Sequence, residues 1–352
     1  MRASPLTGPV TADELELSDG AWLQFVESCP DALPYHHPAW ATVVAETYGF
    51  RTFALTLRDG SGAIVAGLPV VDVKAPFRPR RWVSLPYTDH LQPLARSEVA
   101  GARLVAALNE RRRAAGVASA EVRAALGGAD AHMLSEGFGH VLELGPDPDA
   151  VFRTFKRSRV QGAIQKGLRD GIEVRRGGEP ADLTRVFYEL HTLTRRRHGV
   201  PVQPRRLFEL LWSRVVEPGL GFVLVAEAEG RPAAAAFFLG WNGTVIYKYS
   251  AGLPELGRLR PTNVLLWHAI RWACESGYRS FDFGRTDPEN EGLRTFKQGW
   301  GTEERKLRYS ALADRAPAAG TPWSPRALQA VIRRSPLFVT RLLGRLLYRY
   351  AA

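Results

Sequence analysis

Two stretches of this chain set out the same elements in the same order, and that repetition limits the fold more than any single motif does. Residues 53–73, FALTLRDGSGAIVAGLPVVDV, read as two strands joined by a tight turn at Asp59-Gly60-Ser61-Gly62. Residues 222–242, FVLVAEAEGRPAAAAFFLGWN, have the same form and turn at Glu229-Gly230-Arg231. Downstream of the first hairpin, LVAALNERRRAAGVASAEVR (104–123) supplies a helix, a glycine and a strand. Downstream of the second, LLWHAIRWACESGYRSFDFG (265–284) supplies them again, with Gly116 answering Gly277 and Glu121-Val122 answering Asp282-Phe283. Each half is then helix, antiparallel hairpin, further strand, helix and strand: a mixed α/β (α+β) fold whose sheets are flanked by helices. The pattern breaks at GPDPD (145–149), so the domains are expected at 1–148 and 149–312, with 313–352 left for a linker and a C-terminal helix.

With 352 residues, 45% of them hydrophobic, the chain can build two such cores. Its formal net charge of +11 suits an anionic partner, whether a nucleic acid, a phosphorylated substrate or an acidic membrane surface. Cys29 and Cys274 show no metal-ligand spacing and cannot make a disulfide framework, which fits a reducing cytoplasm. No run approaches the roughly 18 apolar residues that cross a bilayer, and the first 20 residues lack a signal-peptide core, so the chain is expected to be neither exported nor integral.

Three segments concentrate charge or ring chemistry. The first, FKRSRVQGAIQKGLRDGIEVRRG (155–177), holds seven basic residues, among them Arg157, Arg159 and Lys166, against two acids: a solvated helix face or a phosphate-binding surface. In HTLTRRRHGVPVQPRR (191–206), a helix carrying Arg195 and Arg196 should end near Gly199, with Pro201 beyond. In RSFDFGRTDPENEGLRTFKQGWG (279–301), alternation puts Phe281 and Phe283 on one strand face and Asp282 on the other. Gly284 should end that strand, and residues 291–298 can coil with Leu293 and Phe296 three apart. Lys297, near the end of that helix, either complements its dipole or serves a function.

Six pieces in order make the chain resemble the Fem-type (FemAB-like) aminoacyltransferases and, equally, the BioF2-like acetyltransferases, over about residues 30–312. They are YHHPAWATVVAETYGF (35–50), LPYTDHLQPL (85–94), SRVQGAIQKGLRDGIEVRRG (158–177), the helix end at 191–199, RPTNVLLWHAIRWACESGYRSFDFG (260–284) and FKQGWG (296–301). The resemblance implies two tandem GNAT-like domains, no bound cofactor, and transfer of an acyl group to an amine. In the Fem type the donor is aminoacyl-tRNA and the acceptor is a peptidoglycan precursor or another amino compound; in ordinary GNAT enzymes the donor is acyl-CoA. Both reactions need an amine that loses its proton and a stabilised oxyanion. The chain departs from acetyl-CoA users, which place an Arg/Gln-x-x-Gly-x-Gly/Ala loop at a helix N-terminus. Here GRLRPTN (257–263) lacks the glycine spacing, and Pro261 has no N–H to offer, although Arg258 and Arg260 remain for phosphates and Thr262 or Asn263 for the cap. The long helical hairpin inserted in some members is also missing.

The resemblance places Lys297 of FKQGWG at the substrate site, where it would bind an acceptor anion or hold the carbonyl oxygen, with Trp300 beside it. Arg285 would face the same site, or else pair with Asp282 or Asp287. Asp282 would accept the amine proton if its side lines the site, and otherwise faces solvent. Tyr247 and Tyr249, read as sharing one face of TVIYKYSAG, offer a phenol as acid, or simply pack. His191 and His198 flank the arginine run without a visible partner. In the first half, the resemblance puts Trp40, Tyr87, Thr88, Asp89 and His90 where the acceptor binds; the plain alternative is a turn after a strand.

The activity expected is therefore transfer of an activated acyl group, an aminoacyl group from aminoacyl-tRNA before others, to an amine of a cell-envelope precursor or related metabolite, with an anionic small molecule or a lipid-linked one as acceptor. The alternatives are acyl-CoA-dependent N-acylation of an amino sugar or small amine, and a non-catalytic RNA- or membrane-binding module. In FVTRLLGRLLYRY (338–350), Val339, Leu342, Leu343, Leu346, Leu347 and Tyr350 share a helix face, while Arg341, Arg345 and Arg349 lie opposite. Residues 325–350 would thus lie on the anionic inner face of the cell membrane, or dock on the protein with the arginines outward. ALADRAPAAGTPWSP (311–325) reads as a flexible linker.

Overall fold

The computed structural model describes residues 10–76, 78–317 and 326–351, which fall into two compact units: one from residues 10–137 and 306–317, the other from 138–305 and 326–351. In the first unit, β1 (Thr11–Leu15), α1 (Gly20–Glu27) and α2 (Pro38–Tyr48) precede the hairpin of β2 (Arg51–Arg58) and β3 (Ile64–Val73). Asp59 shapes the hairpin turn, its Oδ1 accepting from the Ser61 N–H at 2.9 Å and the Ser61 hydroxyl at 2.6 Å, while Gly62 takes φ 85°. Then come β4 (Arg81–Val83), β5 (Leu94–Ala95), α3 (Glu98–Ala114), β6 (Ser119–Val122) and β7 (Ala131–Glu143). The sheet runs β1-β2-β3-β4-β6, antiparallel except between β4 and β6, which α3 connects as a crossover. Ala100, Leu104 and Leu108 of α3 close its core over Phe53, Leu55, Trp82 and Val122. Residues 310–313, from the chain's last strand, extend the sheet antiparallel to β6.

The second unit holds α4 (Pro148–Thr154), α5 (Gly162–Arg169), β8 (Glu173–Arg176), α6 (Tyr188–His198), α7 (Arg205–Leu211), β9 (Gly221–Ala228), β10 (Arg231–Trp241) and β11 (Thr244–Gly252). It continues with α8 (Pro261–Glu275), β12 (Ser280–Thr286), α9 (Glu291–Gln298) and the start of β13 (Glu303–Ala313). The strand order β8-β9-β10-β11-β12 is antiparallel up to β11 and parallel from β11 to β12, with α8 as the crossover. This is the topology of the first unit over again, as the repeated sequence order implies. Residues 138–148, grouped by the sequence with the first domain, pack with the second unit because 138–143 pair with β12.

Two local expectations change. Gly284 does not end its strand: β12 runs on to Thr286, and Gly284 at φ 73° accommodates an extra residue between Asp282 and Arg285. Residues 311–313 of the expected linker belong to β13, and 318–325 lie outside the described residues.

The C-terminal helices α10 (Arg326–Arg334) and α11 (Leu337–Leu347) both pack on α6. The face that α11 buries is not its leucine face but Thr340 and Gly344, with Val339, Leu343 and Leu347 half-buried; the side chain of Tyr350 lies outside the described residues. Small residues win because the backbones touch: a Cβ on Gly344 would stand 1.8 Å from the carbonyl oxygen of Val202. Gly344→Val should therefore release α11 while the rest of the unit stays folded. Limited proteolysis would then cut within residues 337–347 far faster than in the parent, and unchanged cutting would refute the close contact. Among the described residues no helix is long and apolar enough to cross a membrane.

Candidate active site

In the second unit the sheet opens at one place. β11 and β12 pair only across Thr244–Ile246 and Ser280–Asp282. Just beyond, each strand gains a residue on its other partner. Phe237 and Phe238 of β10 face Tyr249 and Tyr247, which makes Lys248 the extra residue of β11, and Asp282 and Arg285 face Val141 and Gly139 of β7. Paired bulges bend both strands where their shared ladder stops, so the β12-facing backbone of β11 past Ile246 is not engaged by β12.

The bulge at Lys248 overturns the expectation that Tyr247 and Tyr249 share a face. Tyr247 stacks on Phe238 at 5.6 Å and meets Phe283 at 6.2 Å, and its hydroxyl bonds Ser250. Burial pushes that phenol up to about 12, so it keeps its proton at neutral pH and can donate it. Tyr249 stands on the opposite face among Phe208, Phe237 and His191. His191 is a core residue, stacked on Phe187 and bonded to Gln203 at 2.8 Å.

At the second bulge, Asn290 caps α9 by accepting from the Leu293 N–H at 3.1 Å, and the helix carries Lys297 back to the strand. The Lys297 ammonium is buried and donates to the carbonyl oxygens of Gly284 at 2.8 Å and Arg285 at 3.1 Å. Its contacts are thus with the bulged strand, more specific than dipole compensation at a helix end. Asp282 is corrected from a solvent-facing carboxylate to a buried one, 2% exposed, with Oδ1 accepting from the Gly284 N–H at 2.7 Å. Arg285 lies within the strand and pairs with Asp287, the second of its two expected partners. Trp300 is fully buried against Phe155, Phe283 and Phe296.

His140 of β7, which the sequence reading passed over, is buried in the same place; the charges of Lys297, Glu304 and Arg294 all act on it. Burial above all, and then the Lys297 charge, lowers its pKa to about 4.

A cavity of about 380 Å³ lies where β11 runs into α8, lined by Ser250, Gly252, Gly257 and Thr262 and, from α6, by Thr194, Arg197 and His198. Arg260 at φ 61° turns the chain into α8, and no side chain caps that helix, so neither Thr262 nor Asn263 fills the capping role left open to them. α5 is pressed onto the start of α8, since a Cβ on Gly167 would meet Val264 at 2.4 Å and the Leu259 carbonyl oxygen at 3.0 Å. The backbone next to Lys166 and that of Arg258 and Arg260 therefore adjoin one helix start, whereas the segment of Arg157 and Arg159 runs beside Gly299. From the arginine run, Arg197 lines the cavity, while Arg195 turns to the Pro201 carbonyl at 3.0 Å. Arg157, Arg159, Arg258 and Arg260 are exposed, Arg196 is half-buried, and Lys166 pairs with Asp170. Burial and the neighbouring Arg197 lower the His198 pKa.

The first unit gathers a second group. Leu85 and Tyr87 hold φ of 60° and 65°, a strained conformation for residues with side chains, so LPYTDH is more than a plain turn. Asp89 accepts from the Tyr35 hydroxyl at 2.6 Å, and its carbonyl accepts from the Tyr309 hydroxyl. Tyr87 packs on Tyr48 at 5.0 Å; Trp40 is buried edge-on to Tyr35, and Thr88 bonds the Leu85 carbonyl. Beside them His90, Gln92, Arg123, Lys306 and Arg308 line a cavity of about 360 Å³. Arg123 lies 4.7 Å from the Tyr309 ring centre, and its buried Nε has no hydrogen-bond partner among the described residues. No motif marked Arg123, or Lys306 and Arg308, which stand far from it in sequence. Among the described residues no cluster of His, Cys, Asp or Glu fits a metal ion.

Residues 154–298 match the family model of the acetyltransferase (GNAT) domain. The UDP-N-acetylmuramoylpentapeptide-lysine N(6)-alanyltransferase of Weissella viridescens is 26% identical over 160 residues, 45% of this chain and 47% of that protein, so the match spans about half of the curated relative. The crystal structure of FemX superposes with a TM-score of 0.66 at 15% identity, covering 84% of this chain and 96% of its own. L-PGS from Bacillus licheniformis gives 0.54 at 15% identity, covering 94% and 98%. A tandem GNAT protein from the clavulanic acid biosynthesis pathway gives 0.50 at 15%, covering 89% and 99%. At these identities the structural likenesses speak for the fold, which is that of tandem GNAT proteins. With the domain match and the curated relative beside that fold, residues 154–298 form a GNAT-like acetyltransferase domain, and the chain is similar to Fem-type GNAT proteins.

Proposed function

We propose that the protein is an N-acyltransferase that moves an aminoacyl group from aminoacyl-tRNA to an amine of a cell-envelope precursor. The observation that carries the reading is the relative from Weissella viridescens, whose name describes alanyl transfer to a lysine of a UDP-linked pentapeptide. The amine nitrogen attacks the ester carbonyl, the bond to the tRNA ribose oxygen breaks, and the amine proton ends on that oxygen. The opened sheet suits this chemistry: in this reading the backbone of β11 beyond Ile246, where its ladder with β12 stops, holds the carbonyl oxygen, with the protonated Tyr247 on the same strand. Arg197 and the uncapped start of α8 suit the donor's phosphates. In the first unit, the cavity under His90, Arg123 and Lys306 suits an anionic acceptor. The donor sets the reaction in the cytoplasm, and a lipid-linked acceptor would hold it at the inner face of the cell membrane.

The second reading, acyl-CoA-dependent N-acylation, draws on the acetyltransferase domain match. Labelled aminoacyl-tRNA and labelled acetyl-CoA, each offered to the purified protein with amine acceptors, separate the two. Transfer from tRNA alone is expected; transfer from acetyl-CoA alone would replace the first reading with the second. Arg197→Ala should weaken donor binding about tenfold, the effect of one charge-assisted hydrogen bond, without moving the thermal midpoint. Unaltered donor affinity would remove Arg197 from the site.

A further inference from the structure

Docking α11 through Thr340 and Gly344 leaves its opposite face bare. At about 100° of rotation per residue, Leu342 lies about 200° round the helix from Thr340, in line with Phe338 and Leu346 at four-residue spacing. Phe338 is 69% exposed, Leu342 53% and Leu346 56%, and Val331 of α10 adds a fourth apolar side chain at 53%. Half of the eight large apolar side chains exposed among the described residues thus fall within these two helices. Arg345 and Arg349 run along the edge of the stripe and are exposed, while Arg341 lies over the Tyr188 ring at 5.6 Å. Residues 326–351 contain six arginines and no acid.

We infer that this face of α11, with Val331 beside it, is a docking surface for an anionic phospholipid bilayer. Phe338, Leu342 and Leu346 enter the interfacial layer, and Arg345 and Arg349 reach the lipid phosphates. The sidedness is fixed, because Gly344 is held against Val202 and cannot turn the stripe inward. Charge selects among occupants. A second copy would set arginines against arginines, and an RNA backbone would leave three apolar side chains with nothing to bury against, whereas an anionic bilayer satisfies both the apolar stripe and its arginine edge. The inference stands apart from acyl transfer, which only gives the surface a use.

The test needs neither tRNA nor acceptor. The full chain is sedimented with vesicles of phosphatidylcholine alone, and with vesicles that also contain phosphatidylglycerol. Binding is expected only to the anionic vesicles and should weaken as salt rises. The triple variant F338S/L342S/L346S should lose roughly tenfold or more in partitioning through lost apolar burial. R345E/R349E should lose at least roughly fivefold for each arginine removed. All these positions are exposed, so circular dichroism should be unchanged. Equal binding to both vesicle types, or anionic binding that survives the triple serine variant, overturns the inference. So does a wild-type dimer that the triple variant converts to monomer without any vesicle binding, or arginine variants that lose only tRNA.

Discussion

Lowering the pH from neutral to about 5 is expected to destabilise this protein by about 2 kcal/mol for each of three buried histidines, two of them in the second unit. His36, His140 and His191 are 1%, 0% and 4% exposed. Burial is the largest cause of each depression, which takes His36 and His140 to about 4 and His191 to about 3. The unfolded chain takes up these protons near pH 6.5, well before the folded one, so stability is complete above that pH and falls steadily as the pH drops toward the folded values. Neither ring nitrogen of His140 has a hydrogen-bond partner among the described residues, and a charged ring there would have little but Glu304, 3.9 Å away, to answer it. Guanidinium unfolding at a series of pH values measures the slope. Replacing His140 by Gln and His191 by Asn should flatten the profile of the second unit, since both titrations disappear. A double variant with the parent's slope would show that other groups govern acid unfolding. The carboxylates held low by arginine, Asp182 by Arg175 and Glu304 by Arg294, lose their stabilising charge only at still lower pH and leave this window clear.

Most of the architecture was legible because period-2 alternation and turn chemistry are local signals. The two hairpins, the crossover helices with Gly116 and Gly277 after them, and the αL end of α6 at Gly199 all follow from residues within a few positions of one another. What sequence could not show were the bulges. A single inserted residue at Lys248 sends Tyr247 and Tyr249 to opposite faces, and the one at Gly284 carries β12 past its expected end; strict alternation predicts neither. The burial of Asp282 was missed for a related reason. A strand covered on both faces places a carboxylate inside whichever way it points, and the neighbour that makes this tolerable, the Gly284 N–H, is supplied by the bulge itself. On α11 the leucine pattern was sound as a pattern, but the choice between docking and exposure was settled by Gly344, where backbone contact outweighed side-chain burial.

Replacing Lys297 by Met should lower turnover roughly tenfold or more, the scale of one lost transition-state contact. The variant keeps the apolar stem and removes only the ammonium, which bridges two consecutive carbonyls of the bulged strand. Leaving those oxygens unsatisfied in a buried place costs about 1–3 kcal/mol, so some loss of stability accompanies the change. Stability alone would leave the same rate per folded molecule at a temperature well below the unfolding midpoint, whereas a reoriented bulge lowers kcat there with little change in KM. A second readout needs no substrate. The Lys297 charge is one of the causes that depress His140, so its removal should raise the His140 pKa, visible in the pH dependence of the imidazole proton resonances. A raised His140 pKa with full turnover per folded molecule would leave Lys297 as a structural tie between α9 and β12. A reduced kcat with the same pKa rise would place the ammonium, and the strand edge it holds, in the reaction itself.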